Sequence, residues 1–378
     1  MRKKVHPKVE EAVETLDLNP VTRRRLLSGT GLASASLAAT ALLAACGQDN
    51  NPQAASGAKG NFPETPAWKF NFVCHVTTNP FFVPTQYGAE DASKLLGTTY
   101  QWTGSVNSVV AEMVDACNTA ITSKADGLAL AVVDKDAFRA PVDRALDAGM
   151  PVVSYNADGA REDVGTNRLA YIGQGLYESG YALGQRALAQ ISSGDVAAFI
   201  ATPGQLNIQP RIDGAQQAFK DSGKPINFTS VATNADITQG LSIIDAYVQG
   251  HQNVAGLLAV DAGSTQSVGQ TVGKYKLRDK GLKVAGGFDL VPETLASIKA
   301  GDLDYTIDQQ PYLQGFLPVL ALYLYKVSGG LMFPSQTNTG LLFVTKDNVD
   351  PYQTTKSRYE GSDTAPKKLD RSGPIAHA

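Results

Sequence analysis

"GLALAVVDKDAFRAPVDRALDAGMPVVSYN", residues 127–156, decides the fold. It opens on seven residues, 127–133, that are apolar without alternation, the mark of a short strand covered on both faces. Residues 136–149 then space their apolar positions near 3.6 and stop at Gly149, as an amphipathic helix does. The run at 150–156 is apolar again and closes a strand, helix, strand unit. Such a crossover joins parallel strands.

The same rhythm extends in both directions. "WKFNFVCHV" (68–76) and "TTYQWTG" (98–104) precede it. "DVAAFIATP" (195–203), "PINFTSVAT" (225–233), "VAGLLAVD" (254–261), "LKVAGGFD" (282–289) and "LDYTIDQQ" (303–310) follow. Helical patterns such as "DITQGLSIIDAYVQGHQ" (236–252) lie between them. So many strands exceed the roughly 4–6 that a sheet usually holds, so two α/β lobes with parallel sheets are expected. From Asp350 onward the apolar patterning stops, and residues 351–378 read as a mobile tail.

The N-terminus reads differently. "TRRRLLSGTGLASASLAATALLAAC" (22–46) sets three arginines before a weakly apolar stretch that ends at Cys46. Spanning a bilayer takes about 20 strongly apolar residues, so a resident membrane helix is a poor fit. Thr22 to Leu27 resembles a twin-arginine export consensus, and Leu43 to Gly47 the lipobox of bacterial lipoproteins. Residues 1–45 are therefore read as a removable signal, Cys46 as the lipidated residue, and 46–67, rich in Gly, Pro, Asn and Ala, as a flexible tether. The competing reading is an uncleaved anchor. Both put the working part of the chain on the outer face of the cytoplasmic membrane.

Removing 45 of 378 residues leaves 333, enough for two domains. With 33 basic against 36 acidic residues, the chain has no field to attract nucleic acid. Cys74 and Cys117 are the other thiols; a pair between them is open, but Cys117 falls on an apolar helical stripe with Val110, Met113 and Ile121, where cysteine serves as a small hydrophobe. Motifs for a nucleophile elbow, a phosphate loop or a zinc helix are absent, and the four histidines are scattered. No cofactor, metal or catalytic residue is expected.

Open α/β sheets bind ligands beyond the carboxyl ends of their strands. Asn79, Asn156, Asp158, Asp261, Asp289 and Gln309 all stand there, and Arg211 lies in the early helix after 195–203. Planar amides, carboxylates and a guanidinium can each hold two neighbouring hydroxyls, and Phe81 and Phe82 offer apolar faces to C–H edges. Each residue also has a plainer explanation. Asn79-Pro80 makes a good helix start, Asp289 can cap a helix near Pro292, Arg211 can pair with Asp213 or Asp221, and the phenylalanines can be core.

"NPFF" (79–82), "MPVVSYNAD" (150–158), "RIDGAQQAF" (211–219), "GGFD" (286–289) and "TIDQQP" (306–311) resemble, in order, the ribose-type periplasmic binding proteins, the type I solute receptors of bacterial ABC importers. The resemblance implies two Rossmann-like lobes with parallel sheets and three hinge crossings, near Gln174, Gln310 and Asn338. It divides the chain into an N-terminal lobe of 68–174 plus 311–338 and a C-terminal lobe of 175–310 plus 339–350. It implies that Asn79, Phe81, Phe82, Asn156, Asp158, Arg211, Asp261, Asp289 and Gln309 grip a sugar or polyol, and that a monomeric receptor hands it to an ABC permease and ATPase. Where ribose binders carry an arginine and an aromatic, this chain has Ala157 and Ile237, which favours a tetritol or pentitol over a pyranose, with Tyr155, Trp102 or Asn207 as replacements. An aldose receptor, a sensor of a furanosyl signal and a carbohydrate enzyme are the alternatives.

Overall fold

The computed structural model describes residues 64–159 and 165–354. Cys46, the signal, and residues 355–378 of the expected tail lie outside them. In chain order the first part runs β1 (Lys69–Cys74), a 3-10 turn (Pro80–Phe82), α1 (Val83–Leu96), β2 (Thr99–Gly104), α2 (Val110–Thr122), β3 (Gly127–Val132), α3 (Arg139–Asp147), β4 (Val152–Asp158) and β5 (Ala170–Gly173). The second part runs α4 (Leu176–Leu188), β6 (Gly194–Ile200), α5 (Gln209–Asp221), β7 (Ile226–Ala232), α6 (Ile237–Gly250), β8 (Gly256–Ala259), α7 (Ala262–Tyr275), β9 (Val284–Phe288), α8 (Pro292–Ala300) and β10 (Tyr305–Asp308). Then follow α9 (Pro311–Ser328), β11 (Gln336–Asn338), β12 (Leu342–Thr345) and α10 (Asp350–Thr354).

The strands form two six-stranded sheets, ordered β11-β5-β4-β3-β1-β2 and β12-β10-β9-β8-β6-β7. All pairings are parallel except β10 with β12. The chain passes between sheets after β5, after β10 and after β11. Every residue of β3 and β9 is buried, as continuous apolar runs under helices on both faces require.

Each lobe uses the same device to bring two helices close. A Cβ on Gly315 of α9 would stand 1.8 Å from the Thr85 carbonyl oxygen of α1. One on Gly180 of α4 would stand 2.0 Å from the carbonyl oxygen of Arg211 on α5. The second contact matters for function, because it holds the backbone that carries Arg211.

Three short strands, β5, β11 and β12, were not legible in the sequence. The first four residues of the tail expected at 351–378 instead belong to the second lobe. Val349 is buried in the second lobe, Tyr352 packs against the same cluster, and Lys299 pairs with Asp350, so residues up to Thr354 complete a helical turn. Cys74 and Cys117 are free and buried, and burial pushes both thiols up to about 12, as befits inert core residues. Among the described residues no helix is long and apolar enough to cross a membrane.

Candidate functional site

The two lobes meet over a cavity of about 50 Å³ lined by His75, Asn79, Phe81, Phe82 and Asn156 from the first lobe and Asn207, Ile208, Arg211, Asp261, Ala262, Asp289 and Gln309 from the second lobe and hinge. A second cavity of about 50 Å³ adjoins it, sharing His75, Asn79, Asn207, Ile208 and Asp261 and adding Ser108, Thr202 and Asn234. Eight of the nine residues expected from the sequence thus converge on one place.

The ninth, Asp158, does not line it. Arg168 holds its carboxylate from two sides, Nε donating to Oδ1 at 2.9 Å while Nη2 reaches Oδ2, and the Ser154 hydroxyl joins them. An arginine ten residues downstream has claimed the acid. Ala157 is buried in the first core, and Trp102 and Tyr155 pack there against Phe72 instead of facing the cavity. Of the three replacements considered, Asn207 is the one that lines it.

On the first-lobe side, the left-handed backbone of Asn156 (φ 62°) falls at a register shift between β3 and β4. Asparagine tolerates that conformation where most residues do not. Asn79 Oδ1 accepts from the Phe81 N–H at 3.0 Å, so the helix-start reading holds alongside its place on the cavity wall. Phe81 and Phe82 are both buried and packed edge to face.

The second lobe contributes the charges. Arg211, 2 % exposed, neither reaches Asp213 nor Asp221. Its Nη1 donates to the Val260 carbonyl at 2.8 Å and its Nη2 to Gln174 Oε1 at 3.2 Å, while the guanidinium lies 4.0 Å from the centre of the Phe288 ring. That stacking and those two bonds clamp the fork in one plane. Its Nε is buried with no protein partner among the described residues. Asp289 also has a left-handed backbone (φ 76°) and accepts from Gln309 Nε2 at 2.7 Å. Burial pushes its carboxyl up to about 6, against the pull of Arg211. Asp261 is the most occupied of the acids: Oδ1 caps α7 at Ser264 and Oδ2 accepts from the Ala201 N–H. Burial raises its carboxyl too.

His75 escaped the sequence reading, and Asn207 entered it only as a replacement. Asn207 Nδ2 and His75 Nε2 lie 3.1 Å apart, one from each lobe, and His75 Nδ1 and Asn207 Oδ1 are buried without partners among the described residues. Burial first, and Arg211 second, lowers the imidazole to about 4, so it is neutral and accepts at Nε2. His75 was hidden because it continues the apolar run of β1; its place directly after Cys74 was the available signal. Nearby, Gln205 exchanges two bonds with Ser108, of 2.5 and 2.9 Å, and the Leu206 N–H donates to the Val133 carbonyl. The lobes are therefore closed on each other. Among the described residues no group of His, Cys, Asp or Glu could hold a metal ion. What remains is a polar, two-sided clamp whose buried donors and acceptors suit an uncharged ligand rich in hydroxyls.

Comparison with known proteins identifies the family. A periplasmic binding protein domain matches residues 70–329, and the chain belongs to that family. It is 48% identical to the xylose/arabinose-binding protein XylF of Sulfolobus acidocaldarius over 318 residues, 82% of this chain and 78% of that one. A solute-binding protein of an ABC transporter from Burkholderia graminis, solved with D-arabinose, superposes with a TM-score of 0.69 at 25% identity, covering 76% of this chain and 99% of its own. A carbohydrate transporter protein from Acidothermus cellulolyticus, solved with myo-inositol, gives 0.66 at 26% identity over 76% and 97%. These relatives are binding proteins, and this chain is a binding protein, not an enzyme.

Proposed function

We propose that this protein is an extracytoplasmic receptor for an aldopentose of the arabinose or xylose type, which it delivers to the permease of an ABC importer. The observation that carries the reading is the closed cavity in which Arg211, Asp289 and Gln309 face Asn79 and Asn156 across the cleft. A ligand that touches both lobes only when they are shut shifts the population toward the closed form by those extra contacts. Asn79, Phe81, Phe82, Asn156, Arg211, Asp261, Asp289 and Gln309 are its proposed contacts, joined by His75 and Asn207. The pentose assignment follows the relative that shares 48% identity. A pentitol is the second reading, favoured because Ala157 is core and Ile237 lines neither cavity, leaving Phe81 and Phe82 as the aromatic faces.

Titration calorimetry and thermal shift against L-arabinose, D-arabinose, D-xylose, the matching pentitols and common hexoses test it. A ligand at 100 times its dissociation constant stabilises by about 2.7 kcal/mol. Stereoselective binding of one pentose is the expected result; selective binding of an alditol moves the assignment to the second reading, and no response from any of them defeats both. Export through the twin-arginine segment and lipid attachment at Cys46 belong to the same proposal. Cys46→Ser is expected to abolish incorporation of radiolabelled palmitate and release the protein from membranes.

A further inference from the structure

A continuous line of buried side-chain amides joins the two lobes behind the cavity. Gln309 Nε2 donates to Asp289 Oδ1 at 2.7 Å; Gln314 Nε2 donates to Gln309 Oε1 at 3.1 Å; Asn156 Nδ2 donates to Gln314 Oε1 at 3.0 Å. The line starts on β9's lobe, passes the hinge crossing before α9, and ends on β4 of the other lobe. We infer that Gln314 is a positioning residue whose amide direction, fixed at the hinge by the Gln309 backbone carbonyl, by Thr339 and by the Gln309 side chain that Asp289 orients, obliges Asn156 to donate to it, so that Asn156 keeps its Oδ1 to accept from a ligand hydroxyl.

The direction follows from what each group can do. An ionised carboxylate only accepts, so Gln309 must turn its NH2 to Asp289 and its Oε1 to Gln314. Gln314 must then answer with its own NH2, whose two protons are shared among Gln309 Oε1, the Gln309 backbone carbonyl and the Thr339 hydroxyl oxygen, each 3.1 Å away. Thr339 enforces the same sense independently: its hydroxyl proton is committed to the Gln309 carbonyl at 2.7 Å, so it can only accept from Gln314 Nε2 at 3.1 Å. Gln314 Oε1 is left for Asn156, which must donate. Reversing any one amide would set oxygen against oxygen or NH2 against NH2 in a buried place, where an unmade hydrogen bond costs most. Gln314 is fully buried, so water offers no way out. The Asn156 backbone cannot adapt either, because the Tyr171 hydroxyl lies 3.1 Å from its carbonyl and its φ is left-handed. The hinge, through the Gln309 carbonyl, Thr339 and the Gln309 side chain on Asp289, thereby fixes which face of an amide the first lobe offers to the ligand.

The inference rests on the sugar reading for the ligand and on these bonds alone for the relay, and the test separates the two. The panel is the best pentose, its monodeoxy analogues and its monofluoro analogues, whose fluorine cannot donate, measured on wild type and on Gln314→Met. Expected is an affinity loss of about tenfold for the pentose, the scale of one buried hydrogen bond, with no loss for the analogue that lacks the hydroxyl facing Asn156. A uniform loss across the panel, or none, overturns the relay. On ligand-free protein, side-chain amide NMR should find slow proton exchange at Asn156 and Gln309, quickened at both by Gln314→Met although they lie in different lobes; quickening at neither also overturns it. Should the methionine variant not fold, Gln314→Leu, which likewise offers neither donor nor acceptor, is read the same way. A wild type that binds no pentose defeats the pentose reading, and the exchange measurement then decides the relay by itself.

Discussion

Asn156 and Asp289 occupy equivalent places in the two lobes. Asn156 stands two residues before the end of β4 and Asp289 directly after β9, each strand third from the crossing edge, and each residue has a left-handed backbone, at φ 62° and 76°. The first is neutral and the second charged. The contrast holds for the whole cleft: His75, Asn79, Phe81, Phe82 and Asn156 supply one wall without a formal charge, whereas Arg211, Asp261 and Asp289 face them. Concentrating the charges on one side has a physical logic. Arg211 and Asp289 lie in the same lobe and compensate one another there, so bringing the lobes together need neither break nor form an ion pair between them across the cleft. The neutral wall can then approach at little electrostatic cost.

The largest effect expected from breaking this asymmetry is that of Arg211→Ala. It should lower ligand affinity by more than about a hundredfold, given that buried charge-assisted hydrogen bonds carry about 1.5–3 kcal/mol each. Calorimetric titration checks it, and thermal melting should register a fall in Tm as well, because the Val260 carbonyl and Gln174 lose their donor. Exchanging the equivalent residues comes next. Asp289→Asn should cost roughly tenfold to a hundredfold in affinity with little change in Tm, since relief of a buried carboxylate offsets the lost attraction to Arg211. Asn156→Asp should instead lower Tm, by setting a carboxylate against Gln314 Oε1. Equal behaviour of the two variants in melting and titration would mean that the lobes are interchangeable.

The third prediction concerns pH. In the closed form His75 titrates at about 4, below its ordinary 6.5, so closure below 6.5 must expel a proton. Affinity due to His75 is complete above pH 6.5 and falls by up to about tenfold per unit as pH drops toward 4. Asp289 and Asp308, both pushed up to about 6 by burial, contribute with the opposite sign as they take up protons. Arg211 stays charged throughout, and Asp261 lines the same cavities. The measurement is therefore the difference between wild type and His75→Gln titrated from pH 7.5 to 5; a difference that does not change with pH removes His75 from closure. Smallest is Asn79→Ala. Loss of one cap should cost about 1 kcal/mol in chemical denaturation and only a few-fold in affinity. Asp261→Ala should cost more than that, because both of its carboxylate oxygens serve backbone N–H groups.

Much of this was readable beforehand. Long buried strands announce themselves by composition, and ligand groups in a parallel α/β lobe must lie past strand ends, so Asn79, Asn156, Arg211, Asp261, Asp289 and Gln309 could be chosen one strand at a time. Asp158 satisfied the same rule and still points elsewhere. Its neutralisation by Arg168 depends on how β4 and β5 align, and no local pattern encodes that. His75 and Asn207 also stand past strand ends, after β1 and β6, but the reason to choose them is their pairing across the cleft, 132 positions apart in the chain.

The sequence by itself therefore determined the alternation of strand and helix, the number of lobes and most of the polar groups at their mouths, because burial periodicity and strand-end position are local properties of a chain. Tertiary structure alone decided which of those groups face one another, which acid is already paired, and which way the buried amides from Asp289 to Asn156 point. Those outcomes depend on hydrogen bonds between residues far apart in sequence, whose partners and directions are fixed only once both lobes and the hinge are in place.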